Sequence, residues 1–231
     1  MRKIRRFYHR LLDANRTLGL RRLFWVAPRW LIRQEYLVCV RDLHQPLPEI
    51  PMRESLRWTI FTEAQTDLVL AINPALSETH IRRRLKEGQE CLLGWMGESL
   101  VYYRWYAAAT SPYLPYLGKT FRLLQGDVNG TDGFTHPAFR GQGIHTASVI
   151  VALRRARDLG LSRFISVVGW WNVPASRANL QKSDHSVVGT VGFWNAGLWR
   201  HYFATGAVCL EGGTDVYVRP VDQTGARTVH R

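Results

Sequence analysis

Phe134-Thr135-His136-Pro137-Ala138-Phe139-Arg140-Gly141-Gln142-Gly143-Ile144-His145 is the stretch around which the chain is organised. Ahead of it lies a Gly-rich, strand-like run from Gly126 to Thr135. Behind it Ile144, Ala147, Val151, Ala152, Arg155 and Leu159 recur at helical spacing. The reading is strand, tight turn, helix, with two glycines and an arginine in the turn. The start of such a helix has unpaired backbone N–H groups and partial positive charge, which suits phosphate. Two familiar phosphate loops do not fit. Gly118-Lys119-Thr120 lacks the earlier glycine of a P-loop, since that position is Tyr113. Gly141 and Gly143 supply two glycines of a dinucleotide fingerprint, but the third position is Thr146.

What remains, Thr135-x-Pro137-x-Phe139-Arg140-Gly141-x-Gly143, resembles the acyl-CoA-binding motif of the GNAT acyl-CoA N-acyltransferase superfamily. The motif's last small residue is His145 here. Downstream, Asn172, Ala175, Ser176 and Lys182 resemble a second family motif, without the Gly-Phe that usually follows the lysine. The resemblance spans roughly residues 55 to 218. It implies an α/β (α+β) fold, with a mixed, mostly antiparallel central sheet and helices on both faces.

It also implies roles. The pyrophosphate of acetyl-CoA, or of another acyl-CoA, would sit on the amides of Gly141, Gln142, Gly143, Ile144 and His145, with Arg140 nearby. The end of the preceding strand, Phe134 to His136 through Thr135, would pair with the pantetheine arm and offer an oxyanion N–H. The next strand would splay away, leaving a gap between Phe134 and Val168 for the arm. Asn172 and Ser176 match positions whose side chains contact that arm. Each also reads as an ordinary helix-capping residue.

An amine must shed a proton to attack a thioester. Asp132, two residues before Phe134 on the same strand face, is the first candidate base, and Asp127 the second. Asp132 also reads as a plain turn residue in Asn129-Gly130-Thr131-Asp132-Gly133. His136 and His145 titrate near neutrality as a residue type. In many family members a tyrosine two residues before the motif lysine protonates the leaving thiolate; that position is Leu180 here. Tyr202, Asn179 or water are the substitutes, or the thiolate leaves unprotonated. A non-catalytic member of the fold stays open.

The rest of the chain supplies a frame. Tyr36–Val40 reads as a short strand. Pro46, Pro48 and Pro51 mark a linker. The predicted division is a basic helical extension with its linker over 1–51 and the acyltransferase domain over 52–231. Leu56 to Phe61 opens that domain as a strand. Helices follow from Thr62 to Ile72 and from Ser77 to about Gly88, the second with a basic run, Arg82, Arg83, Arg84 and Lys86, that reads as a solvated face. Cys91–Trp95 and Leu100–Trp105 form a hairpin around Gly97. The aromatic loop Ser111–Gly118 is a candidate wall for the acceptor pocket, and Phe121–Leu124 a further short strand. Gly160 caps the long helix. Phe164–Val168 reads as a buried strand, Pro174 sits in the first turn of the next helix, and Ser186–Trp194 and Val208–Val218 close the domain.

Composition bounds the partners. The 231 residues carry a net charge of +13, more than one polyanionic ligand needs. Residues 1 to 35 concentrate arginine around an apolar face that includes Ile4, Phe7 and Leu11. That segment suits an anionic membrane surface, an acidic acyl-carrier protein, or docking on the chain's own domain; nucleic acid is the least favoured partner, and a homodimer is left open. Three well-separated cysteines without a Cys-x-x-Cys point to a reducing compartment and no structural metal. With no apolar run long enough to span a bilayer and no signal-peptide pattern, the expected location is cytoplasmic, peripheral at the inner membrane face if the basic segment binds lipid. The expected activity is N-acyl transfer to a small amine, an amino sugar being one analogy. Transfer of a long-chain or carrier-bound acyl group, and a non-catalytic module binding RNA or membrane, are the alternatives.

Overall fold

A computed structural model describes residues 33–49, 55–108, 110–196 and 199–220. The basic segment over 1–32 lies outside them. Twelve strands appear among the described residues: β1 (Arg33–Asp42), β2 (Leu56–Ile60), β3 (Glu90–Met96), β4 (Ser99–Ala107), β5 (Tyr113–Leu114), β6 (Lys119–Phe121), β7 (Asp127–Thr135), β8 (Arg163–Gly169), β9 (Ser186–Ala196), β10 (Trp199–Ala204), β11 (Val208–Glu211) and β12 (Asp215–Val218). The α-helices are α1 (Thr66–Ile72), α2 (Glu78–Lys86), α3 (Ile144–Asp158) and α4 (Val173–Arg177).

Eight strands form one sheet in the order β10-β9-β1-β8-β7-β4-β3-β2. Only β7 and β8 run parallel, because α3 crosses between them; every other pair is antiparallel. The sheet is mixed and mostly antiparallel, as the sequence predicts. One face carries α3, whose Val149, Ile150 and Leu153 pack on Val128, Phe164 and Leu92. The other face is shared. Over β4, β3 and β2 lie α1 and α2, with Val69 and Ile81 against Leu93, Tyr103 and Trp105. Over β1, β8 and β9 lies a second, four-stranded sheet, β11-β12-β6-β5, whose Leu114, Phe121, Val208 and Val216 pack on Tyr36, Val38 and Ile165. Between these two covers the described residues leave the sheet open.

The local signals place the helices well. Ser77 caps α2 by accepting the His80 amide, and Gly160, at φ 74°, ends α3. Three expectations need correction. The division at residue 51 fails, because β1 lies inside the sheet, hydrogen-bonded to β8 on one side and β9 on the other. The prolines mark a loop between two strands of one unit. Val208–Val218, expected to close the domain, is not one continuous strand; it folds back as β11 and β12, which build the second sheet with the aromatic loop. The short strand expected at Phe121–Leu124 runs instead over Lys119–Phe121, where Thr120 and Phe121 align with Asp215 and Val216 of β12.

Candidate active site

The site begins where β7 and β8 part. Their pairing runs from Asp127 with Arg163 to Gly130 with Ser166 and stops there. β7 then continues on β4 as far as Thr135, while β8 continues on β1 as far as Gly169. The splay produces a wedge in the middle of the sheet. The cavity in it, about 250 Å³, is lined by Gly130 to Gly133 on one side and Ser166 to Gly169 on the other. A larger cavity of about 700 Å³ occupies the open face between the two covers. Asp132, Gly133 and Tyr116 line both, so the two join at the end of the wedge.

At that junction β7 bulges. Tyr103 of β4 aligns with Phe134 and Trp105 with Thr131, so Asp132 and Gly133 together oppose Arg104 alone. Asp132 takes φ 41°, a left-handed conformation that Asp tolerates better than most residues. Gly133 is required, since a Cβ there would come within 2.6 Å of the Tyr102 hydroxyl. The bulge keeps the Asp132 carboxylate on the open face at the mouth of the larger cavity, where Arg84 holds it as an ion pair. Arg84 is almost fully buried. It also donates to Gln89 (2.8 Å), Thr131 (3.1 Å) and the His80 ring (2.8 Å). This arginine was missed in the sequence, where it reads as part of a solvated run. The available signal was its spacing, three residues after the buried Ile81.

Asp127, the second candidate base, is corrected. It starts β7, 1% exposed, with both carboxylate oxygens taken by Arg163 (2.7 and 2.8 Å), and lies outside both cavities. Tyr202, offered as an acid, is likewise set aside. Its hydroxyl donates to the Leu117 carbonyl (3.0 Å) under the second sheet, and it lines neither cavity. Of the other substitutes, Asn179 does line the wedge, nearly fully buried.

The glycine turn lies between β7 and α3, and His145 in the first turn of α3 lines the wedge. Gly141 and Gly143 adopt φ 78° and 77°, and a side chain on either would be strained. The Ala147 amide bonds the Gly143 carbonyl (3.0 Å) to begin α3. The amides of Ile144 and His145, ahead of that bond, have no acceptor within the helix. Arg140 ties the turn to the strand by donating to the Thr135 carbonyl (3.3 Å). Gln142 sits in the turn itself, partly exposed, whereas Ile144 is buried against Val101 and Tyr102.

Other predicted residues are turned elsewhere. The Phe134 ring stacks on Tyr103 at 5.7 Å and lines the larger cavity, on the acceptor side. The His136 amide is used by Val101 (2.9 Å), so it is not available to an oxyanion; its ring accepts the Ala138 amide (3.3 Å). The His145 ring faces inward, 3.0 Å from the Tyr102 hydroxyl, not outward to a phosphate. Burial and then the charge of Arg104 push its pKa down to about 3, so it does not titrate near neutrality. Asn172 caps α4 by accepting the Ala175 amide (3.4 Å) and lines the wedge. The Ser176 hydroxyl is buried and has no partner among the described residues. From the aromatic loop, Pro115 and Tyr116 reach the larger cavity, while Tyr113 is exposed.

The residues present fit an acyl-CoA thioester: an anion-binding helix start, a wedge leading inward from it, and a carboxylate where the wedge meets a second cavity. No family model matches the sequence, and no curated protein matches it. Solved structures do. A GCN5-related N-acetyltransferase from Sphaerobacter thermophilus is 14% identical at a TM-score of 0.50, covering 77% of this chain and 54% of its own. A GCN5-related glucosamine N-acetyltransferase region of a fungal multi-domain GH3 β-N-acetylglucosaminidase is 11% identical at 0.50, over 74% of this chain and 20% of that protein. A GCN5-related N-acetyltransferase from Kribbella flavida is 14% identical at 0.42, over 65% and 54%. The chain thus spans about half or less of these proteins. With its strand order, its splayed parallel pair and its glycine turn, the chain has the fold of the GCN5-related N-acetyltransferases, the GNAT superfamily.

Proposed function

We propose that this protein is an N-acyltransferase that moves an acyl group from an acyl-CoA to a small amine. The observation that carries the reading is the wedge between β7 and β8, which runs from His145, in the first turn of α3, to Asp132 and opens there on a second cavity. The amides of residues 141–145 would hold the pyrophosphate, and the freed edges of β7 and β8 would hold the arm. The larger cavity takes the acceptor. Tyr103, Trp105, Tyr116, Phe134 and Phe193 give it an aromatic wall suited to a flat or cationic molecule. Asp132 takes the proton from the attacking amine, directly or through one water, and Arg84 fixes the carboxylate for that task. Asn179, which lines the wedge, would donate a hydrogen bond to the departing sulfur in place of the missing tyrosine. Amino sugars lead the acceptor panel, since the fungal region of similar fold is named for glucosamine.

The test is calorimetric titration with acetyl-CoA and with CoA, followed by thiol release over a panel of amines. Binding is expected in the micromolar range, about −8 kcal/mol. Gly143→Glu should weaken it about 30-fold, by strain at positive φ and by a negative charge at the helix start. Absence of binding by any CoA thioester would overturn the reading.

A further inference from the structure

On the α3 side of the wedge one guanidinium is shut in without a counter-charge among the described residues. Arg104, on β4 opposite the Asp132–Gly133 bulge, is 4% exposed and lines the wedge cavity. Its Nε and Nη1 are buried with no acceptor among the described residues, and no described carboxylate pairs with it. Its Cζ lies 5.7 Å from the centre of the Phe164 ring. Gly130 makes the room: a Cβ there would come within 2.7 Å of Arg104 Nη2, at the last paired residue before the strands part. Other buried polar atoms nearby are also unpartnered, namely Ser166 Oγ, Asn179 Oδ1 and both ring nitrogens of His185. The neighbouring His145 and His185 are held neutral, each with its pKa pushed down to about 3, chiefly by burial and then by Arg104. Arg104 is therefore a fixed positive charge in a polar, unfilled setting.

An arginine does not shed its proton, and a buried charge without an anion is strongly unfavourable. The site is complete only with an anion in it, and the planar fork of a guanidinium fits a carboxylate. Ser166, which lines the same cavity, carries a hydroxyl able to donate to that carboxylate. The phosphates of a CoA thioester are provided for at the glycine turn. The cavity that holds Arg104 also holds Gly133 and Asp132, where the acyl group must arrive. The anion that reaches Arg104 therefore rides on the acyl group.

We propose that Arg104 selects the acyl donor, and that the donor is the CoA thioester of a short dicarboxylic acid, such as succinate, bound through its free carboxylate. The proposal rests on the acyltransferase reading above. In the transfer the acyl C–S bond breaks and an amide C–N bond forms. The amine's proton passes to Asp132 or its water, and the sulfur leaves as thiolate. The product carries a carboxylate where the acceptor carried an ammonium.

The test is calorimetric titration of the full chain with acetyl-, butyryl- and succinyl-CoA, butyryl-CoA matching the succinyl chain without its charge. Succinyl-CoA is expected to bind about tenfold or more tighter than butyryl-CoA. In Arg104→Met that preference should vanish while acetyl-CoA binding persists; Arg104→Lys, which keeps the charge but not the fork, should retain part of it. Equal binding of succinyl- and butyryl-CoA by the wild-type chain overturns the proposal without needing any variant, and so does a preference that survives Arg104→Met. A site that takes free succinate alongside acetyl-CoA and shows no succinyl-CoA preference overturns it too, since the anion would then be separate from the donor. If acetyl-CoA binds and succinyl-CoA gains nothing, the acyltransferase reading stands alone; if no thioester binds, that reading falls first.

Discussion

Asp132 shows how much one residue's setting depends on the strand that carries it. Its φ of 41° exists because β7 sets two residues against one of β4. Asn tolerates that backbone as well as Asp does, so Asp132→Asn keeps the bulge but removes the charge and with it the ion pair to Arg84. We expect kcat to fall about 10²–10⁴-fold, with acetyl-CoA affinity changed far less, since the carboxylate acts on the amine and not on the donor. Steady-state kinetics beside titration with acetyl-CoA would check both halves. A kcat within about twofold of wild type would place the base elsewhere. Arg84→Met should also lower kcat, because the carboxylate loses its anchor, and should destabilise the fold by about 1–3 kcal/mol through the buried acceptors of Gln89 and Thr131. Thermal melts measure the second effect. The sequence offers the carboxylate but not the bulge, because a bulge is a mismatch between two strands and neither strand alone contains it. Arg84 is hidden for a different reason. Three like charges flank it, and only its spacing from Ile81 marks it as inward-facing.

Among the elements, the helix capped by Gly143 was legible, whereas the strand at Arg33–Asp42 was legible as a strand over Tyr36–Val40 but was placed outside the domain it belongs to. The difference is one of range. A glycine at positive φ, a helix start and a C-cap are set by a few consecutive residues, so the turn from Arg140 to His145 can be read directly. The place of β1 is set by partners more than a hundred residues away, Val167 and Gly189 against Val38 for example. Nothing in Tyr36–Val40 itself names those partners, and the prolines that follow suggested a boundary. The consequence can be measured. β1 supplies Tyr36, Val38 and Cys39 to the interior and closes the backbone edges of both β8 and β9. Deleting residues 1–51 should therefore abolish cooperative folding, seen as loss of the thermal transition by circular dichroism and aggregation on size-exclusion chromatography. A deleted chain that stayed monomeric and melted cooperatively would contradict the central placement of β1.

At the scale of the whole molecule, charge and burial set a dependence on pH. The chain already carries +13 with its histidines neutral, so acid adds charge to a surface that repels itself. His145 and His185 resist that addition. Burial, then Arg104, pushes each from the usual 6.5 to about 3. Below pH 6.5 the unfolded chain takes up two protons that the native chain refuses. The stability linked to these rings is therefore complete above pH 6.5 and is lost progressively as pH falls toward about 3. Each ring contributes a slope of at most about 1.4 kcal/mol per pH unit. Between pH 6.5 and 5.5, before most carboxylates titrate, the two together should remove about 2 kcal/mol, which for a chain of this size lowers Tm by about 4–8 °C. Replacing His185, which lies edge-on to Phe164 at 6.0 Å, by Leu should roughly halve that slope while leaving the cavity lining of His145 in place. Calorimetric melts at the two pH values, wild type beside His185→Leu, measure this. A Tm that does not move between them would mean that the rings are not the neutral, enclosed groups that the Arg104 site requires, and would weaken the case that Arg104 waits for an anion of its own.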